Sequence, residues 1–228
     1  MKKIAIIPAY NERDSIVKTV KDLKEKAPGF DYVIINDCSS DDTLELCRQQ
    51  GLNVLNLPIN LGIGGAVQTG YLYAYHNDYD IAVQFDGDGQ HDAEYLEMMS
   101  EILEKEEMDM VIGSRFITKE GFQSSGLRRV GIRYFTFLTR LLFGQGITDA
   151  TSGMRMCNRK VMELFIKDYP RDYPEPESVS RLLRHKYKIK EVPVIMHERK
   201  AGVSSISLRK SGYYMIKVSL AVLIERLR

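Results

Sequence analysis

Two aspartates one residue apart, Asp86 and Asp88, are the strongest chemical signal in this 228-residue sequence. They follow the apolar run of residues 81–85 and are each followed by glycine, a pattern typical of a buried strand that ends in a turn. Because residues i and i+2 of a strand face the same side, both carboxylates can reach one point. Hard oxygen ligands of this kind bind Mg²⁺ or Mn²⁺ and leave positions for phosphate oxygens. We therefore predict a divalent metal site whose ligands are Asp86 and Asp88.

Two other interpretations of this motif stay open. In the first, residues 86–89 form an ordinary turn and both carboxylates are solvated. In the second, the D-x-D pattern carries a nucleophile, as in phosphatases of the haloacid dehalogenase type. That motif normally follows the first strand of its domain, whereas Asp86 lies far along this chain. Its position therefore counts against a phosphatase.

The segments before the motif alternate between strand-like and helix-like patterns. Residues 3–7, 32–35 and 53–57 are strand-like, residues 15–24 and 43–50 have helical spacing, and residues 60–66 lead into a helix that extends to residue 75. This alternation predicts an α/β fold with a Rossmann-like, mostly parallel central sheet flanked by helices, and a ligand site beyond the carboxyl ends of the strands. The polar segments 8–12, 37–42 and 86–88 all lie at such ends. We expect them to form one site, although each of the first two could instead cap the helix that follows.

Composition excludes several classes of function. Lysine and arginine total 32 against 31 acidic residues, which argues against nucleic-acid binding by overall charge. Three cysteines without paired spacing, Cys38, Cys47 and Cys157, favour reduced thiols in a cytoplasmic setting. The first residues do not resemble a signal peptide, and no run approaches the roughly 20 apolar residues of a membrane span. We expect one cytoplasmic domain with a substantial core.

Four segments, in this order, resemble the signatures of family 2 glycosyltransferases. They are P-A-Y-N-E at residues 8–12, N-D-x-S-x-D at 36–41, D-G-D-G-Q at 86–90 and G-S-R-F at 113–116. The resemblance extends over residues 3–206 and is to the dolichyl-phosphate mannose synthase-like, polyprenyl-phosphate branch, which has the GT-A fold. It implies metal-dependent, inverting transfer of a sugar from a UDP- or GDP-sugar to a polyprenyl phosphate. It also implies an enzyme peripheral to the cytoplasmic face of the membrane.

The same resemblance assigns donor-side roles to individual residues. Arg199 lies in a segment similar to the family's R-x-x-G-x-S-[KS] loop and would neutralise the diphosphate. Several relatives have lysine where this chain has Ser205, which weakens any claim to a second cation there. The remaining roles are contacts to the base and ribose for Pro8, Tyr10, Glu12 and Asp37, metal binding for Asp86 and Asp88, and the edge of the sugar pocket for Gln90.

On the acceptor side, Arg115 and Arg129 match the arginines that bind the lipid phosphate, with Arg128 one residue of register away. Asp149 lies in a segment similar to the family's D-x-x-S-G-x-[RK] loop and is placed for a catalytic role, with capping of a helix as the alternative. The segment Y-P-E-P-E at residues 173–177 either grips sugar hydroxyls or caps the next helix.

Apolar and cationic side chains recur at helical spacing in residues 128–143 and 207–228. Each segment is predicted to form a helix whose apolar side faces the core or a membrane surface, and the second could instead dock on an integral membrane partner. We divide the chain into a catalytic domain, residues 1–206, and an amphipathic C-terminal helix, residues 207–228. Transfer to a sugar hydroxyl in polysaccharide assembly, a nucleotide-sugar-binding regulator without turnover, and a homo-oligomer stay open.

Overall fold

The fold is a seven-stranded sheet covered by helices. A computed structural model describes residues 1–118, 126–171, 174–197 and 208–227. Its strands are β1 (Lys3–Ala9), β2 (Phe30–Asn36), β3 (Val54–Asn56), β4 (Ile81–Gln84), β5 (Met110–Ser114), β6 (Arg155–Asn158) and β7 (Ile189–Pro193). They are ordered β3-β2-β1-β4-β6-β5-β7, and every pair is parallel except those that β6 makes with β4 and β5. The predicted mostly parallel sheet is confirmed.

Helices cover both faces of the sheet. Alternate residues of β1 point to opposite faces, so Ile4 and Ile6 join one core cluster while Ala5 and Ile7 join the other. The helices of the described residues are α1 (Ile16–Lys26), α2 (Thr43–Gln49), α3 (Gly62–His76), α4 (Tyr95–Lys105), α5 (Gly126–Phe143), α6 (Arg159–Lys167), α7 (Pro174–Arg184) and α8 (Leu208–Leu227). The first cluster includes residues of α3, α6 and α7, and the second includes residues of α1, α2 and α4.

Strand β6 differs from the expectation drawn from the sequence, in which Arg155 is the last residue of the segment similar to the D-x-x-S-G-x-[RK] loop. The structure begins β6 at this arginine and buries its side chain completely. A four-residue strand that opens with a charged residue has neither the length nor the alternation by which a strand is identified in a sequence. The antiparallel strand places Arg155 directly opposite Gln84, two residues before Asp86.

The C-terminal helix α8 packs against α7 and α5. Its Val218 and Val222 form a small buried cluster with Phe135 and Leu138 of α5. At its C-terminal end, Glu225 is buried and lies 3.2 Å from Nε of Arg184 and 3.5 Å from Nε of Arg181, both on α7. The predicted boundary between catalytic domain and C-terminal helix falls within residues 198–207, outside the described residues.

Both α5 and α8 also carry apolar side chains on the surface that faces away from the core. The hydroxyl of Ser219 on α8 donates a hydrogen bond to the hydroxyl of Tyr134 on α5 at 3.1 Å, which joins the two helices at this surface. We call the surface the outer apolar face; its members are Val130, Tyr134, Phe137 and Leu141 of α5 and Leu220, Leu223, Ile224 and Leu227 of α8. None of the described helices has both the length and the hydrophobicity needed to cross a bilayer.

Candidate active site

The loops after β1 and β2 are tied together at the carboxyl edge of the sheet. Asn11 adopts a left-handed backbone conformation, with φ of 57°, which asparagine tolerates better than most residues. Its backbone N–H donates to Oγ of Ser39 at 3.0 Å, and its side-chain oxygen accepts the N–H of Ser40 at 2.8 Å. The two loops therefore form one rim, from which the neighbouring Tyr10 projects with half of its surface, 50%, exposed.

Asp37 is buried and organises the start of α3. Its Oδ1 accepts the backbone N–H of Leu61 at 2.7 Å, and its own N–H donates to the carbonyl of Ala9 at 2.9 Å. The carboxylate thus connects the ends of β1 and β2 to the glycine-rich beginning of α3. Its expected contact with the nucleotide stays a prediction. Within residues 37–42, Asp41 contacts the start of α2: its Oδ1 accepts the N–H of Thr43 at 2.9 Å, while the N-cap residue Asp42 makes no side-chain cap hydrogen bond.

Glu12 shapes the start of α1. Its carbonyl accepts the N–H of Ile16 at 2.9 Å, and its Oε2 accepts the hydroxyl of Ser15 at 2.7 Å. Its backbone N–H donates to Oγ1 of Thr43 at 2.9 Å, which adds a second link between the two loops. These contacts fit the interpretation that Glu12 serves the start of α1. Pro8, the other residue predicted from this segment, is buried within β1. The nucleotide contacts expected of both residues stay predictions.

Asp86 is half-buried just beyond the end of β4, between two polar side chains. Nε2 of Gln84 donates to its Oδ1 at 3.1 Å. Its backbone N–H donates to Nδ1 of His91 at 3.0 Å, and Nε2 of the same ring lies 3.5 Å from its Oδ2. His91 is buried and packs edge-on against Phe85, the ring centroids being 5.5 Å apart. Sequence reasoning gave no role to Gln84 or His91.

Asp88 and Gln90 complete the turn that follows β4. Oδ1 of Asp88 accepts the backbone N–H of Gln90 at 3.0 Å, and Gly89 between them has φ of 74°, which favours glycine. Nε2 of Gln90 donates to the carbonyl of His197 at 3.2 Å, and the N–H of His197 donates back to the Gln90 carbonyl at 2.9 Å. The turn is thereby attached to the chain beyond β7. Arg199, two residues further on, lies outside the described residues.

A glycine and a buried cation lie behind Asp86. A Cβ atom on Gly153 would lie 2.5 Å from Oδ2 of Asp86, so only glycine leaves room for the carboxylate. Arg155 is fully buried, and its guanidinium donates at 2.6 Å to each of three backbone carbonyls, those of Ser152, Ala150 and Glu175. The loop before β6 and the start of α7 are therefore fixed to the same cation.

Helix α7 begins at Pro174, which is a favoured residue at the first helical position. Glu175 and Glu177 consequently lie in its first turn, where carboxylates interact favourably with the helix dipole. Burial raises the pKa of Glu175, an effect that the nearby Arg155 cation opposes. The structure thus places the acidic segment in the start of a helix beside Gln84, and its contact with sugar hydroxyls stays a prediction.

Arg115 and Asp149, predicted for separate acceptor-side roles, form a buried ion pair with each other. Nε of Arg115 lies 2.7 Å from Oδ2 of Asp149, and its Nη2 lies 2.7 Å from Oδ1. Asp149 is fully buried and the Arg115 side chain is 8% exposed. Asp149 does not cap a helix; it starts the turn of residues 149–152. The phosphate-binding role of Arg115 and the catalytic role of Asp149 stay predictions.

Glu191 of β7 fixes the loop that carries Asp149. Its carboxylate accepts the backbone N–H groups of Thr148 at 2.7 Å and Asp149 at 2.8 Å, and the Thr148 hydroxyl at 2.8 Å. Burial raises the pKa of Glu191, and these hydrogen bonds oppose the shift. No feature of the sequence pattern singled out this glutamate. Arg129 lies exposed on α5 and, within the described residues, contacts none of these groups.

The donor set at the end of β4 fits a divalent cation of the Mg²⁺ or Mn²⁺ type. Asp86 and Asp88 offer hard carboxylate oxygens, and each named protein hydrogen bond leaves further lone pairs on its acceptor oxygen. No group of three acidic, histidine or cysteine side chains with metal-binding geometry occurs among the described residues. Two carboxylates suffice where phosphate oxygens and water complete the coordination shell.

Comparisons with known proteins point to one family. A family model for glycosyl transferase family 2 matches residues 4–165. Undecaprenyl-phosphate mannosyltransferase of Micrococcus luteus is 29% identical, with coverage of 96% of this chain and 93% of that protein. Polyprenol monophosphomannose synthase of Mycolicibacterium smegmatis is 27% identical, with coverage of 96% and 86%.

A solved structure supports the fold. Glucosyl-3-phosphoglycerate synthase from Mycobacterium tuberculosis, crystallised with Mn²⁺, UDP-glucose and phosphoglyceric acid, superposes with a TM-score of 0.73 at 16% identity and covers 99% of this chain and 79% of its own. At this identity the likeness concerns the fold alone. The chain belongs to glycosyltransferase family 2: it is a glycosyltransferase with the GT-A fold, and the relatives named above place it in the polyprenyl-phosphate branch.

Proposed function

We propose that this glycosyltransferase moves a sugar from a UDP- or GDP-sugar to a polyprenyl phosphate, with inversion at the anomeric carbon. The observation that carries the proposal is the buried ion pair of Asp149, whose two carboxylate oxygens both accept hydrogen bonds from Arg115. A hydroxyl acceptor must lose a proton to a base as it attacks, whereas a phosphate is already ionised near neutral pH. A carboxylate committed to an ion pair is a poor base, so this arrangement favours the phosphate.

The reaction then requires positioning and charge neutralisation more than proton transfer. A phosphate oxygen of the acceptor attacks the anomeric carbon on the side opposite the nucleoside diphosphate, and the bond from that carbon to the diphosphate breaks as the new bond forms. A divalent cation held by Asp86 and Asp88 would supply positive charge to the departing diphosphate. Arg199 would add to it. Tyr10, exposed on the rim, would stack on the base.

The acceptor's chemistry also suggests a place for the outer apolar face. A polyprenyl chain partitions into a bilayer, so its phosphate is presented at the membrane surface. The outer apolar face has exposed cations beside it, among them Arg133 and Arg226, a combination that favours binding at an anionic interface. The protein would then work as a peripheral enzyme on the cytoplasmic face of the membrane, with Arg129 of α5 near the acceptor phosphate.

One observation favours transfer to a sugar hydroxyl as a second candidate function. Burial raises the pKa of Glu175. A carboxyl group with a raised pKa is a suitable general base where it can reach the acceptor, worth about 10²–10⁴-fold in rate for a hydroxyl acceptor. The two functions differ in whether a lipid phosphate or a hydroxyl accepts the sugar.

The test is a panel of UDP- and GDP-sugars with Mn²⁺, offered either polyprenyl phosphate or oligosaccharide, with nucleotide release and labelled product as readouts. We expect product on polyprenyl phosphate, and we expect Asp88→Asn to lower its rate by about 10²–10³-fold because it removes charge from the metal site. The folded state of the variant is checked by its thermal unfolding. Product on the oligosaccharide alone, or an undiminished rate for Asp88→Asn, would contradict the proposal.

A further inference from the structure

Gln84 is an unusual residue to find at the centre of a sheet. It is the last residue of β4, is 1% exposed, and its Oε1 has no hydrogen-bond partner among the described residues. A buried amide with an unsatisfied oxygen costs stability, and an apolar side chain of the same length would pack here without that cost. Packing alone therefore does not account for a glutamine at this position.

The amide nitrogen of Gln84 holds Asp86. Nε2 donates to Oδ1 of Asp86 at 3.1 Å. Glu175, whose carboxylate is near the Gln84 side chain, is itself anchored, since its backbone carbonyl accepts a hydrogen bond from the Arg155 guanidinium at 2.6 Å. The bond from Nε2 sets the position of one Asp86 oxygen.

His91 acts on the other oxygen of the same carboxylate. Since Nδ1 accepts the backbone N–H of Asp86, the ring hydrogen is on Nε2, which lies 3.5 Å from Oδ2. The ring itself is held by burial and by its edge-on contact with Phe85. On the remaining side Gly153 has no side chain to cover Oδ2. Each oxygen of Asp86 therefore has one polar neighbour, and the side chain as a whole is 33% exposed.

We infer that Gln84 and His91 are positioning residues for Asp86, which hold its carboxylate in the orientation that binds a divalent cation. The inference rests on the proposed metal site at Asp86 and Asp88. Removing a residue that orients a metal ligand typically lowers metal affinity by about 10–100-fold. Binding of nucleotide in the presence of metal is the property that these residues should control, and it can be measured without turnover.

The experiment is calorimetric titration of UDP and GDP with and without Mn²⁺, for the nucleotide that binds. Gln84→Met keeps the length of the side chain and removes the donor. His91→Asn keeps an acceptor for the Asp86 N–H and removes Nε2. We expect each to reduce the Mn²⁺-dependent gain in affinity by about tenfold or more, with metal-free affinity within about twofold of wild type. Gln68→Met is the matched control; Gln68 bonds to α6 through its amide, and this variant should keep the full gain.

The possible outcomes distinguish a failure of this inference from a failure of the proposed metal site. No gain with Mn²⁺ in the wild-type protein would overturn the metal site and the inference together. A gain in wild type that both variants retain would overturn the inference alone. A loss of metal-free affinity as large as the loss with metal would also overturn the inference, because it would show a structural role only. Thermal unfolding of each variant shows whether such a loss comes from a destabilised fold.

Discussion

Two aspartates from different groups of predicted site residues, Asp86 and Asp149, have opposite surroundings. The donor group comprises the residues after β1, β2 and β4; in it Tyr10 is 50% exposed and the side chain of Asp86 is 33% exposed. The acceptor group comprises Arg115, Arg129 and Asp149; in it Asp149 is fully buried against Arg115. Asp86 therefore keeps part of its carboxylate exposed, whereas Asp149 and Arg115 neutralise each other in the interior.

The difference shows that a charged residue in a family motif can serve the site in two ways. Asp86 is oriented by neighbours and keeps access to a ligand, as a metal-binding residue requires. Asp149 and Arg115 join the turn of residues 149–152 to the end of β5, and Glu191 fixes the same turn from β7. We interpret that pair as a scaffold which shapes the acceptor side. Contacts to the acceptor phosphate would then come from exposed cations such as Arg129.

The largest effect should come from breaking the buried pair. In Asp149→Asn, Arg115 keeps a buried charge without its counter-ion, so we expect the free energy of unfolding to fall by about 3–5 kcal/mol in urea denaturation. The double variant Arg115→Met with Asp149→Leu removes both charges and should recover most of the loss. A fall of less than about 1 kcal/mol in the single variant would contradict the scaffold role.

The same variants test how the acceptor group meets its ligand. If Arg115 acts only through the scaffold, the folded double variant should keep the KM for polyprenyl phosphate within a few-fold, and Arg129→Ala should raise it strongly. If Arg115 binds the phosphate directly, the double variant should show the larger increase. Under the phosphate proposal, replacement of Asp149 should also leave the shape of the pH–rate profile unchanged.

The fold and the placement of the donor-group loops could be predicted because their signals are local. Apolar runs defined the strands, and the rule that parallel strands end at one edge placed residues 8–12, 37 and 86–88 together. The pairing of Arg115 with Asp149 joins residues that are 34 positions apart and depends on β6, a strand too short and too polar to identify. A pairing of this kind is fixed by tertiary packing and has no sequence signature.

Gln84 and His91 were missed for another reason. Both lie within or beside the D-G-D-G-Q-H motif, so their positions were known, but their hydrogen bonds depend on side-chain direction. One signal was available: a polar residue at the end of an apolar run, two positions before an aspartate, faces the same side as that aspartate. Glu191, by contrast, lies in a late strand, where nothing in the pattern connects it with Asp149.

A smaller effect is expected on the outer apolar face. Leu223→Glu adds a charge to a side chain that is 40% exposed, so folding should be preserved while binding to an anionic bilayer is weakened. We expect the fraction bound to anionic vesicles to fall by about tenfold in flotation assays, which matches the loss of the free energy gained by burying one leucine side chain. Ile59→Glu, at a position 62% exposed in the loop after β3, is the matched control. Equal vesicle binding by both variants would refute a membrane role for this face.

The smallest effect concerns Glu175, which lies behind the donor group. Burial raises its pKa above the ordinary 4.5, so between its unfolded and folded pKa values the folded protein binds more protons than the unfolded chain. The contribution of Glu175 to stability is therefore complete below pH 4.5 and is lost as the pH rises through the folded pKa. Glu175→Gln is uncharged at every pH and does not undergo this loss.

We accordingly expect wild type and Glu175→Gln to unfold at similar temperatures near pH 4, and the variant to be the more stable at pH 8. The gain should be small, about 2–4 °C in Tm for each 1 kcal/mol, measured without metal or nucleotide. Glu163→Gln is the control of opposite sign, since the hydrogen bond from Lys167 lowers the pKa of Glu163. If the Tm difference between wild type and Glu175→Gln stays constant from pH 4 to 8, Glu175 is not held in an environment that disfavours its charge.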